Sequence, residues 1–181
     1  MEIHQTRLPG VLLIEPKVFG DSRGFFVETF HQLRYADAGL NVEFVQDNLS
    51  RSRRNTLRGL HDQDPCPQGK LVHVLDGEVF DVAVDIRPTS STFGRWVGYY
   101  LSSENHRQLY VPPGFAHGFC VTSETALFSY KCTDFYNPAT EGGVAWNDPD
   151  LAIAWPVSEP ILSARDQQAP RLRDLMRRLA A

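Results

Sequence analysis

Short apolar runs recur along the sequence between Val11 and Trp155, and this pattern constrains the fold more than any other feature. The runs are rich in β-branched and aromatic residues, and Gly, Pro, Asn or Asp residues separate them. Such runs are typical of short strands joined by turns, and eight or more strands favour a closed sandwich or barrel. The sequence therefore predicts an all-β protein in which helices are additions to the core.

The segment Lys70–Arg87 contains the clearest turn signal. Two apolar runs, Leu71–Leu75 and Glu78–Ile86, flank Asp76-Gly77, a dipeptide favoured at the two positive φ angles of a type I′ turn. We therefore predict a β-hairpin here. Apolar residues and aspartates alternate along its second arm, so one face is expected to join the core while the other is polar enough for a site.

Periodicity predicts two helices and several further strands. Apolar residues spaced i, i+3, i+4 and i+7 predict a helix over Ala169–Leu179, and a shorter helix is expected over His31–Ala38, ended by Gly39. The other predicted strands are Val11–Glu15, Phe25–Phe30, Phe44–Asn48, Trp96–Leu101, Gln108–Val111, Gly118–Thr122 and Ala126–Thr133.

Length and composition are typical of a single globular domain. The chain has 181 residues, of which 42% are hydrophobic, and no repeat or low-complexity linker divides it. We expect one domain over residues 1–181, with a barrel core at about 11–155 and a C-terminal tail, 156–181, packed over the site.

Charge and cysteine content limit the partners and the compartment. The formal net charge is −4, which argues against a surface devoted to nucleic acid or to anionic membranes. Cys66, Cys120 and Cys132 form no Cys-x-x-Cys pair and leave an odd thiol, so neither a disulfide framework nor a zinc knuckle is expected. No apolar run approaches the length of a membrane span. We therefore expect a cytoplasmic protein.

The run from Pro112 to Phe119 contains a Pro-x-Gly-x-x-His pattern that ends at His117. The pattern resembles the second motif of the cupin superfamily, whose members are jelly-roll barrels with a site inside the barrel mouth. Metal-binding cupins also carry a His-x-His motif, whereas this chain has no second histidine after His61. A metal needs three or four converging ligands, and Glu78 or Asp81 would have to complete the set. We therefore expect no metal.

Six spaced blocks carry a much more specific resemblance. The blocks are Val18–Phe26, Phe44–Asn48, Leu57–Gln63, Gln68–Val72, Phe80–Asp85 and Gly114–Phe119. In this order they resemble the dTDP-4-dehydrorhamnose 3,5-epimerase family, a branch of the cupin superfamily. The resemblance extends from about residue 5 to about residue 168.

The resemblance implies both a fold and an activity. It implies a cupin-like jelly roll that works as a homodimer, without metal or organic cofactor, on a thymidine-diphosphate 4-keto-6-deoxy sugar. The implied reaction inverts C3 and C5 of dTDP-4-keto-6-deoxy-D-glucose and gives dTDP-4-keto-L-rhamnose, a step toward dTDP-L-rhamnose. Inversion beside the C4 ketone needs a base on one face, an acid on the other, and a group that stabilises the enolate.

Four residues match the catalytic positions of the family. The resemblance assigns His61 as the base, Tyr130 as the general acid and Lys70 as the ammonium near the C4 oxygen. These assignments suit the side chains, because imidazole is mostly neutral at pH 7 whereas a phenol keeps its proton. Asp166 matches the carboxylate that bonds to the base, although Ser163-x-x-Asp166 is also typical of a capping box at a helix start.

The resemblance also assigns residues to substrate binding. His117 is expected beside the sugar, and Tyr136 is expected to stack on the thymine ring. An arginine fork matches phosphate oxygens, which suits a diphosphate ligand. The remaining nucleotide-binding residues are Gln46, Asn48 and Arg58, together with Arg23, Phe26 and Glu28, which the N-terminal strands of a second subunit are expected to lend.

Asp62 departs from the family, which usually has an aromatic residue after the catalytic histidine. If the segment is a strand, Asp62 alternates away from His61, and the loop over residues 62–67 is slightly shorter than usual. This departure bears on the substrate more than on the mechanism. The alternatives are a mono-epimerase that inverts only C3 or only C5 in a natural-product pathway, a metal-dependent cupin enzyme, and a sugar-nucleotide binding module without catalysis.

Overall fold

A computed structural model describes residues 1–179, with side chains up to Leu175. Its strands are β1 (Glu2–Gln5), β2 (Leu12–Glu15), β3 (Val18–Asp21), β4 (Gly24–Val27), β5 (Gln46–Arg53), β6 (Leu57–Gln63), β7 (Lys70–Asp76), β8 (Glu78–Asp85), β9 (Trp96–Ser102), β10 (Gln108–Val111), β11 (Phe115–Val121), β12 (Thr125–Cys132) and β13 (Glu141–Gly143). Its helices are α1 (Gln32–Asp37), α2 (Ala164–Gln167) and α3 (Leu172–Leu179).

Two antiparallel sheets form the jelly roll. One sheet has six strands in the order β1-β2-β10-β7-β12-β5, and the other has five in the order β13-β6-β11-β8-β9. The main core cluster draws buried residues from both sheets, including Val72 and Phe128 of the first and Ala83 and Phe119 of the second. The all-β, cupin-like architecture predicted from the sequence is therefore confirmed.

The predicted hairpin over Lys70–Arg87 is wrong. β7 pairs with β10 and β12 in one sheet, whereas β8 pairs with β9 and β11 in the other. Gly77 has a φ of +79°, and a Cβ at this position would lie 2.1 Å from the carbonyl oxygen of Thr125. The Asp76-Gly77 dipeptide thus turns a tight corner between the two sheets. The glycine signals a turn in the sequence, but it does not specify which strands pair.

Most of the other predicted strands are confirmed within a few residues. Gln108–Val111 matches β10 at both ends, and the predicted Phe44–Asn48 overlaps the start of the longer β5. The apolar pattern does not predict β1, β3, β6 or β13. In β6 the polar residues Arg58, His61 and Asp62 interrupt the apolar run, because this strand serves a site as well as the core.

The short helix predicted over His31–Ala38 is confirmed as α1. His31 caps its start, because the Nδ1 atom of the ring accepts a hydrogen bond from the Arg34 amide at 3.4 Å. Gly39 follows the helix with a φ of +102°, a conformation that favours glycine after a helix end. None of the described helices is both long and apolar enough to cross a membrane.

The C-terminal tail divides between the two faces of the five-stranded sheet. In α3, which begins at Leu172 instead of the predicted Ala169, Leu172 and Leu175 pack with Phe80 and Val82 on the face turned away from the six-stranded sheet. The side chains of Met176 and Leu179 lie outside the described residues. Within the described part of the tail, α2 contacts β6 and places Asp166 beside His61, whereas α3 packs on the back of the five-stranded sheet.

β3 and β4 form a separate two-stranded arm. The arm pairs Val18–Asp21 with Gly24–Val27. Phe19, Phe25 and Phe26 on this arm are all more than half exposed. Phe19 and Phe26 lie opposite each other with ring centroids 6.5 Å apart, and neighbouring exposed aromatic side chains are typical of a surface that contacts another molecule.

Candidate active site

A cleft of about 380 Å3 opens between the two sheets. Strands of both sheets contribute to its walls, and eight of the residues predicted for the site line it. The lining residues are Gln46, Asn48, Ser50, Arg58, His61, Gln68, Lys70, His117, Gly118, Phe119, Phe128, Tyr130, Cys132, Tyr136, Glu141 and Arg165.

His61 lies on β6 and is held by a carboxylate from the C-terminal tail. Its Nε2–H donates to Asp166 Oδ1 at 2.6 Å. With the proton on Nε2, the lone pair of Nδ1 is the basic position of the ring. The side chain of His61 is 31% exposed, whereas that of Asp166 is 5% exposed. The pair therefore offers a base to the cleft, with its orienting carboxylate behind it.

Asp166 belongs to a helix cap as well as to this pair. The Oγ of Ser163 accepts a hydrogen bond from the Asp166 amide at 3.1 Å, and its hydroxyl donates to Asp166 Oδ2 at 2.8 Å. Burial alone would raise the pKa of Asp166, but hydrogen bonds from His61, Ser163 and the Gly59 amide hold it below its ordinary value. The two interpretations of the Ser163-x-x-Asp166 motif are thus compatible, because the cap orients the carboxylate.

Lys70 enters the cleft from β7, on the wall that the six-stranded sheet provides. Cys132 lies directly opposite on β12, so the two side chains share one face of the sheet. Burial lowers the pKa of Lys70, and electrostatic interactions with Cys132, Glu141, Asp62 and Asp81 oppose this effect. An ammonium in such a sheltered position can stabilise negative charge on a ligand oxygen.

Tyr130 lines the same wall of the cleft from β12. Burial raises the pKa of Tyr130, so the phenol keeps its proton at neutral pH. Because β12 belongs to the six-stranded sheet and β6 to the five-stranded sheet, Tyr130 and His61 face the cleft from opposite walls. A proton donor and a proton acceptor therefore flank the space between the sheets.

His117 forms a second pair with a carboxylate. Its Nε2–H donates to both oxygens of Asp81 on the neighbouring strand β8, at 3.0 and 2.9 Å. Asp81 is fully buried, and the His117 side chain is only 8% exposed. In the sequence, Asp81 was considered as a metal ligand, and its hydrogen bonds to His117 were not predicted. The position of Asp81 on the polar face of β8 could have indicated them.

The residues predicted to bind the nucleotide are connected by hydrogen bonds along the cleft. Gln46 Nε2–H donates to Asn48 Oδ1 at 3.0 Å, and the Tyr136 amide donates to Gln46 Oε1 at 2.9 Å. Arg58 on β6 donates its Nε–H to the Ser52 hydroxyl at 3.0 Å, which anchors the guanidinium to β5. These contacts give the cleft a set of ordered polar groups before any ligand arrives.

Glu141 and Arg165 also line the cleft, and the sequence did not predict them. They form an ion pair, and the Tyr136 hydroxyl donates to Glu141 at 2.6 Å. Burial would raise the pKa of Glu141, but the bonds from Arg165 and Tyr136 hold it below its ordinary value. Arg165 directly precedes Asp166, and this adjacency was the signal that could have identified it.

Arg23, Phe26 and Glu28 lie outside the cleft of their own chain. Arg23 is paired with Asp21 at the tip of the arm, and Phe26 is largely exposed on the same arm. Glu28 follows the arm and pairs with Arg34 of α1. A single chain therefore does not bring these three predicted residues together with His61.

A second cavity, of about 150 Å3, adjoins the cleft, and we call it the side cavity. Lys70 and Gln68 line both spaces. Asp62 lines the side cavity and is 7% exposed, whereas its neighbour His61 lines the cleft. Asp62 therefore faces a different space from His61, as strand alternation predicts, but it is buried there and is not turned outward to solvent.

Potential metal ligands gather at a different place. Among the described side chains, the group close enough to share an ion consists of Glu2, His4 and Glu15, at the edge of the six-stranded sheet. In the cleft, His61 and His117 each direct Nε2 at an aspartate. The cleft geometry thus suits proton transfer between side chains and a ligand.

Comparison with known proteins gives a consistent result. The family model described as dTDP-4-dehydrorhamnose 3,5-epimerase matches residues 5–174. The dTDP-4-dehydrorhamnose 3,5-epimerase of Shigella flexneri is 56% identical over 168 residues, which are 92% of this chain and 93% of that protein. The dTDP-4-dehydrorhamnose 3-epimerase of Streptomyces niveus is 43% identical over 171 residues, which are 93% of this chain and 83% of that protein.

A solved structure agrees with these sequence matches. The crystal structure of a dTDP-6-deoxy-D-glucose-3,5-epimerase from Legionella pneumophila, in complex with dTDP-4-keto-L-rhamnose, has a TM-score of 0.92 and 54% sequence identity. The alignment covers 95% of this chain and 93% of that one.

Proposed function

Because the chain belongs to the dTDP-4-dehydrorhamnose 3,5-epimerase family, we propose that it inverts both C3 and C5 of dTDP-4-keto-6-deoxy-D-glucose. The product is then dTDP-4-keto-L-rhamnose, which leads to dTDP-L-rhamnose for cell-surface polysaccharide. The observation that supports this proposal is that a histidine, His61, and a tyrosine, Tyr130, line one cleft from strands of opposite sheets.

The C4 ketone makes this chemistry accessible to ordinary side chains. It acidifies the hydrogens on C3 and C5, so a base can remove either as a proton and leave an enolate with its charge on the C4 oxygen. A proton delivered to the opposite face of the same carbon then restores the ketone with inverted configuration. One C–H bond breaks and one forms at each carbon, so the reaction consumes no oxidant and no reductant.

His61 and Tyr130 take the two proton-transfer roles. His61 accepts the proton at Nδ1, and Asp166 stabilises the resulting imidazolium through the bond at Nε2. Tyr130 delivers its phenolic proton from the other wall. Solvent then removes the proton from His61 and returns one to Tyr130, which resets the site for the next carbon.

Lys70 stabilises the enolate between these two steps. Its ammonium lies in the buried wall of the cleft, where a positive charge acts more strongly on an anionic oxygen than it does in water. His117, fixed by Asp81, supports the sugar from the floor of the cleft.

The nucleotide is bound by the polar groups along the cleft and by a second subunit. Arg58 offers a guanidinium to the diphosphate, and Tyr136 offers a ring to the thymine. Arg23 and Phe26 come from the exposed arm of a partner chain in a homodimer, because in their own chain they lie outside the cleft. An Arg23→Ala variant should therefore bind dTDP more weakly, and subunit exchange with a cleft variant such as Tyr130→Phe should restore one intact site in each mixed dimer.

We also propose that the protein is cytoplasmic. Cys66 is an exposed free thiol, and Cys120 and Cys132 are buried free thiols. Unpaired thiols suit a reducing compartment.

Proton exchange tests the proposed reaction directly. Incubation with dTDP-4-keto-6-deoxy-D-glucose in D2O should introduce deuterium at both C3 and C5, measured by NMR or mass spectrometry of the recovered sugar. Label at neither carbon would contradict the proposal and support a binding module without catalysis.

A mono-epimerase is the second candidate, and two observations favour keeping it. A relative at 43% identity is named a 3-epimerase, and the resemblance to the family implies an aromatic residue where this chain has Asp62. Deuterium at only one of the two carbons would show that the protein is a mono-epimerase. A requirement for stoichiometric iron, zinc or manganese would instead indicate a metal-dependent cupin enzyme.

A further inference from the structure

The β3–β4 arm joins the rest of the chain at two points, and both lie beside Gln108. β2 leads into the arm, and its Ile14 is the strand partner of Gln108 on β10. The chain that leaves the arm passes Thr29 before it enters α1, and the Gln108 side chain bonds to Thr29. Among the described residues, the two strands of the arm pair only with each other. A two-stranded sheet is marginally stable alone, so contacts at its base determine where the arm points.

A buried group of hydrogen bonds holds the chain at Thr29, and we call it the arm clamp. It consists of the Thr29 carbonyl and the side chains of Gln108 and Tyr35. Gln108 Nε2–H donates to the carbonyl at 2.7 Å. The Tyr35 hydroxyl lies 2.9 Å from this carbonyl and 2.8 Å from Gln108 Oε1, and it shares its single proton between them. Burial raises the pKa of Tyr35 to about 12, so the hydroxyl stays protonated.

The arm clamp lies in apolar surroundings. Gln108 and Tyr35 are each 1% exposed, and Tyr35 packs with Leu12 and Ile14 in the core cluster on the outer face of the six-stranded sheet. A buried amide is costly unless its hydrogen bonds are made. An apolar side chain at position 108 would satisfy the packing alone. The glutamine therefore serves to hold one particular stretch of backbone.

Two other contacts reach the arm and the segment after it, and both involve exposed side chains. Arg34 of α1 donates its Nε–H to Glu28 at 2.8 Å, and the rings of Phe25 and His106 lie 4.7 Å apart. Exposed ion pairs contribute little to stability. The buried arm clamp is therefore the stronger constraint on the direction of the arm.

We propose that Gln108 is a positioning residue for nucleotide binding in the cleft of a second subunit, because it fixes the base of the arm that carries Arg23 and Phe26. The inference rests on the proposed homodimer, in which the arm lends these residues to its partner. Gln108 is not among the residues that line the cleft of its own chain. Its effect must therefore pass through the arm, and a change of direction at the base displaces Arg23 at the tip.

The variant Gln108→Met tests this role, because methionine has a similar length and volume but no N–H donor. The dissociation constant of dTDP should rise about fivefold, as expected for the loss of one hydrogen bond. KM for the sugar nucleotide should rise equally, while kcat stays unchanged because His61 and Tyr130 are intact. Calorimetry and deuterium exchange measure these values. Tyr35→Phe should act in the same direction, and it replaces Gln108→Met if that variant fails to fold.

Gln32→Met is the matched control. Gln32 lies on α1, as Tyr35 does, and its Nε2–H donates to the Val42 carbonyl at 2.9 Å. The substitution removes the same kind of bond from the same helix without touching the arm clamp, so dTDP affinity should stay at the wild-type value. An equal loss of affinity in Gln32→Met would show that general loosening around α1 causes the effect, and it would reject the inference.

Subunit exchange shows on which chain Gln108 acts. In a heterodimer of Gln108→Met with Tyr130→Phe, the active cleft belongs to the Gln108→Met chain and receives an arm whose clamp is intact. Its KM should return to the wild-type value. A heterodimer of wild type with the double variant Gln108→Met/Tyr130→Phe should instead show the raised KM. A KM that stays raised in the first heterodimer would place the defect in the cleft of the same chain and overturn the inference.

Arg23→Ala separates this inference from the proposed function. If Arg23→Ala weakens dTDP binding and Gln108→Met does not, the arm still lends its residues and only the role of Gln108 is refuted. If Arg23→Ala binds dTDP as wild type does, the arm lends nothing and both proposals are wrong. Binding of dTDP needs no turnover, so a wild-type protein without deuterium exchange would refute the epimerase activity and leave the comparison of affinities readable.

Discussion

The cleft contains two histidine–carboxylate pairs that use the same hydrogen bond in different surroundings. In His61–Asp166 the partners lie 105 residues apart, and the carboxylate comes from a short helix on the tail. In His117–Asp81 both partners lie on neighbouring strands of one sheet. The first ring is 31% exposed and the second only 8%.

The difference in exposure distinguishes His61, a side chain that can exchange protons, from His117, a side chain that is held in place. A histidine that takes and releases protons must be reached by both the ligand and water, and His61 at the cleft wall meets this requirement. His117 is enclosed with a fully buried aspartate, so its ring is held in place and is hardly reached by water. We therefore expect the two pairs to respond differently to matched substitutions.

The largest effect on activity is expected for His61→Ala. Loss of the base should reduce exchange at both C3 and C5 by about a thousandfold or more, because one base serves both carbons. His117→Ala should lower activity less, since it removes a contact to the sugar. Exchange rates measured under saturating substrate compare the two. Retained exchange at either carbon in His61→Ala would reject the assigned role.

Asp166→Asn should have the next largest effect on activity. The amide keeps the shape of the side chain but loses the charge that stabilises the imidazolium, and a loss of about a hundredfold in kcat is expected. KM should change little, because Asp166 lies behind His61 and does not line the cleft. A change confined to KM would show that the pair acts in substrate binding instead.

Asp81→Asn should affect stability more than Asp166→Asn does. It removes a charge-assisted bond in a fully buried setting, and a loss of about 2 kcal/mol in unfolding free energy is expected. Urea unfolding of the two variants measures this difference. A stability loss that is larger for Asp166→Asn would invert the comparison and make the exposed pair the structural one.

The smallest effect is expected for Ser163→Ala, which removes the cap behind the first pair. A loss of about 1 kcal/mol is typical of such a cap. In wild type the pKa of Asp166 is lower in the folded than in the unfolded state, so its ionisation stabilises the fold above about pH 4. This contribution disappears as the pH falls through the folded pKa. Ser163→Ala should weaken that acid dependence, and Asp166→Asn should remove it.

The sequence predicted which residues line the cleft better than it predicted the hydrogen bonds between them. His61, Lys70 and Tyr130 lie in recognisable local blocks, so each could be identified without knowing which strands are neighbours. Asp81 was visible on the polar face of β8, yet its bond to His117 depends on the pairing of β8 with β11. Such pairings arise from packing between distant segments, which no local pattern specifies.

The predicted hairpin failed for the same physical reason. The Asp76-Gly77 dipeptide specifies a tight turn, and Gly77 does adopt a positive φ. Whether the strands on either side pair or separate depends on which surfaces they bury, and both faces of β8 are buried here. Glu141 was missed because β13 is only three residues long and is defined by its pairing with β6.

The corner at Gly77 also has a consequence for folding. At this corner the chain passes from β7 in the six-stranded sheet to β8 in the five-stranded sheet. The first sheet carries Lys70 and Tyr130 on one wall of the cleft, and the second carries His61 and His117 on the other. Neither sheet alone contains a complete set of these groups, and their contacts join segments far apart in the chain, which is typical of slow, cooperative assembly. The ability to bind dTDP should therefore appear only after both sheets have formed and packed together, and ligand binding can be used to time that event.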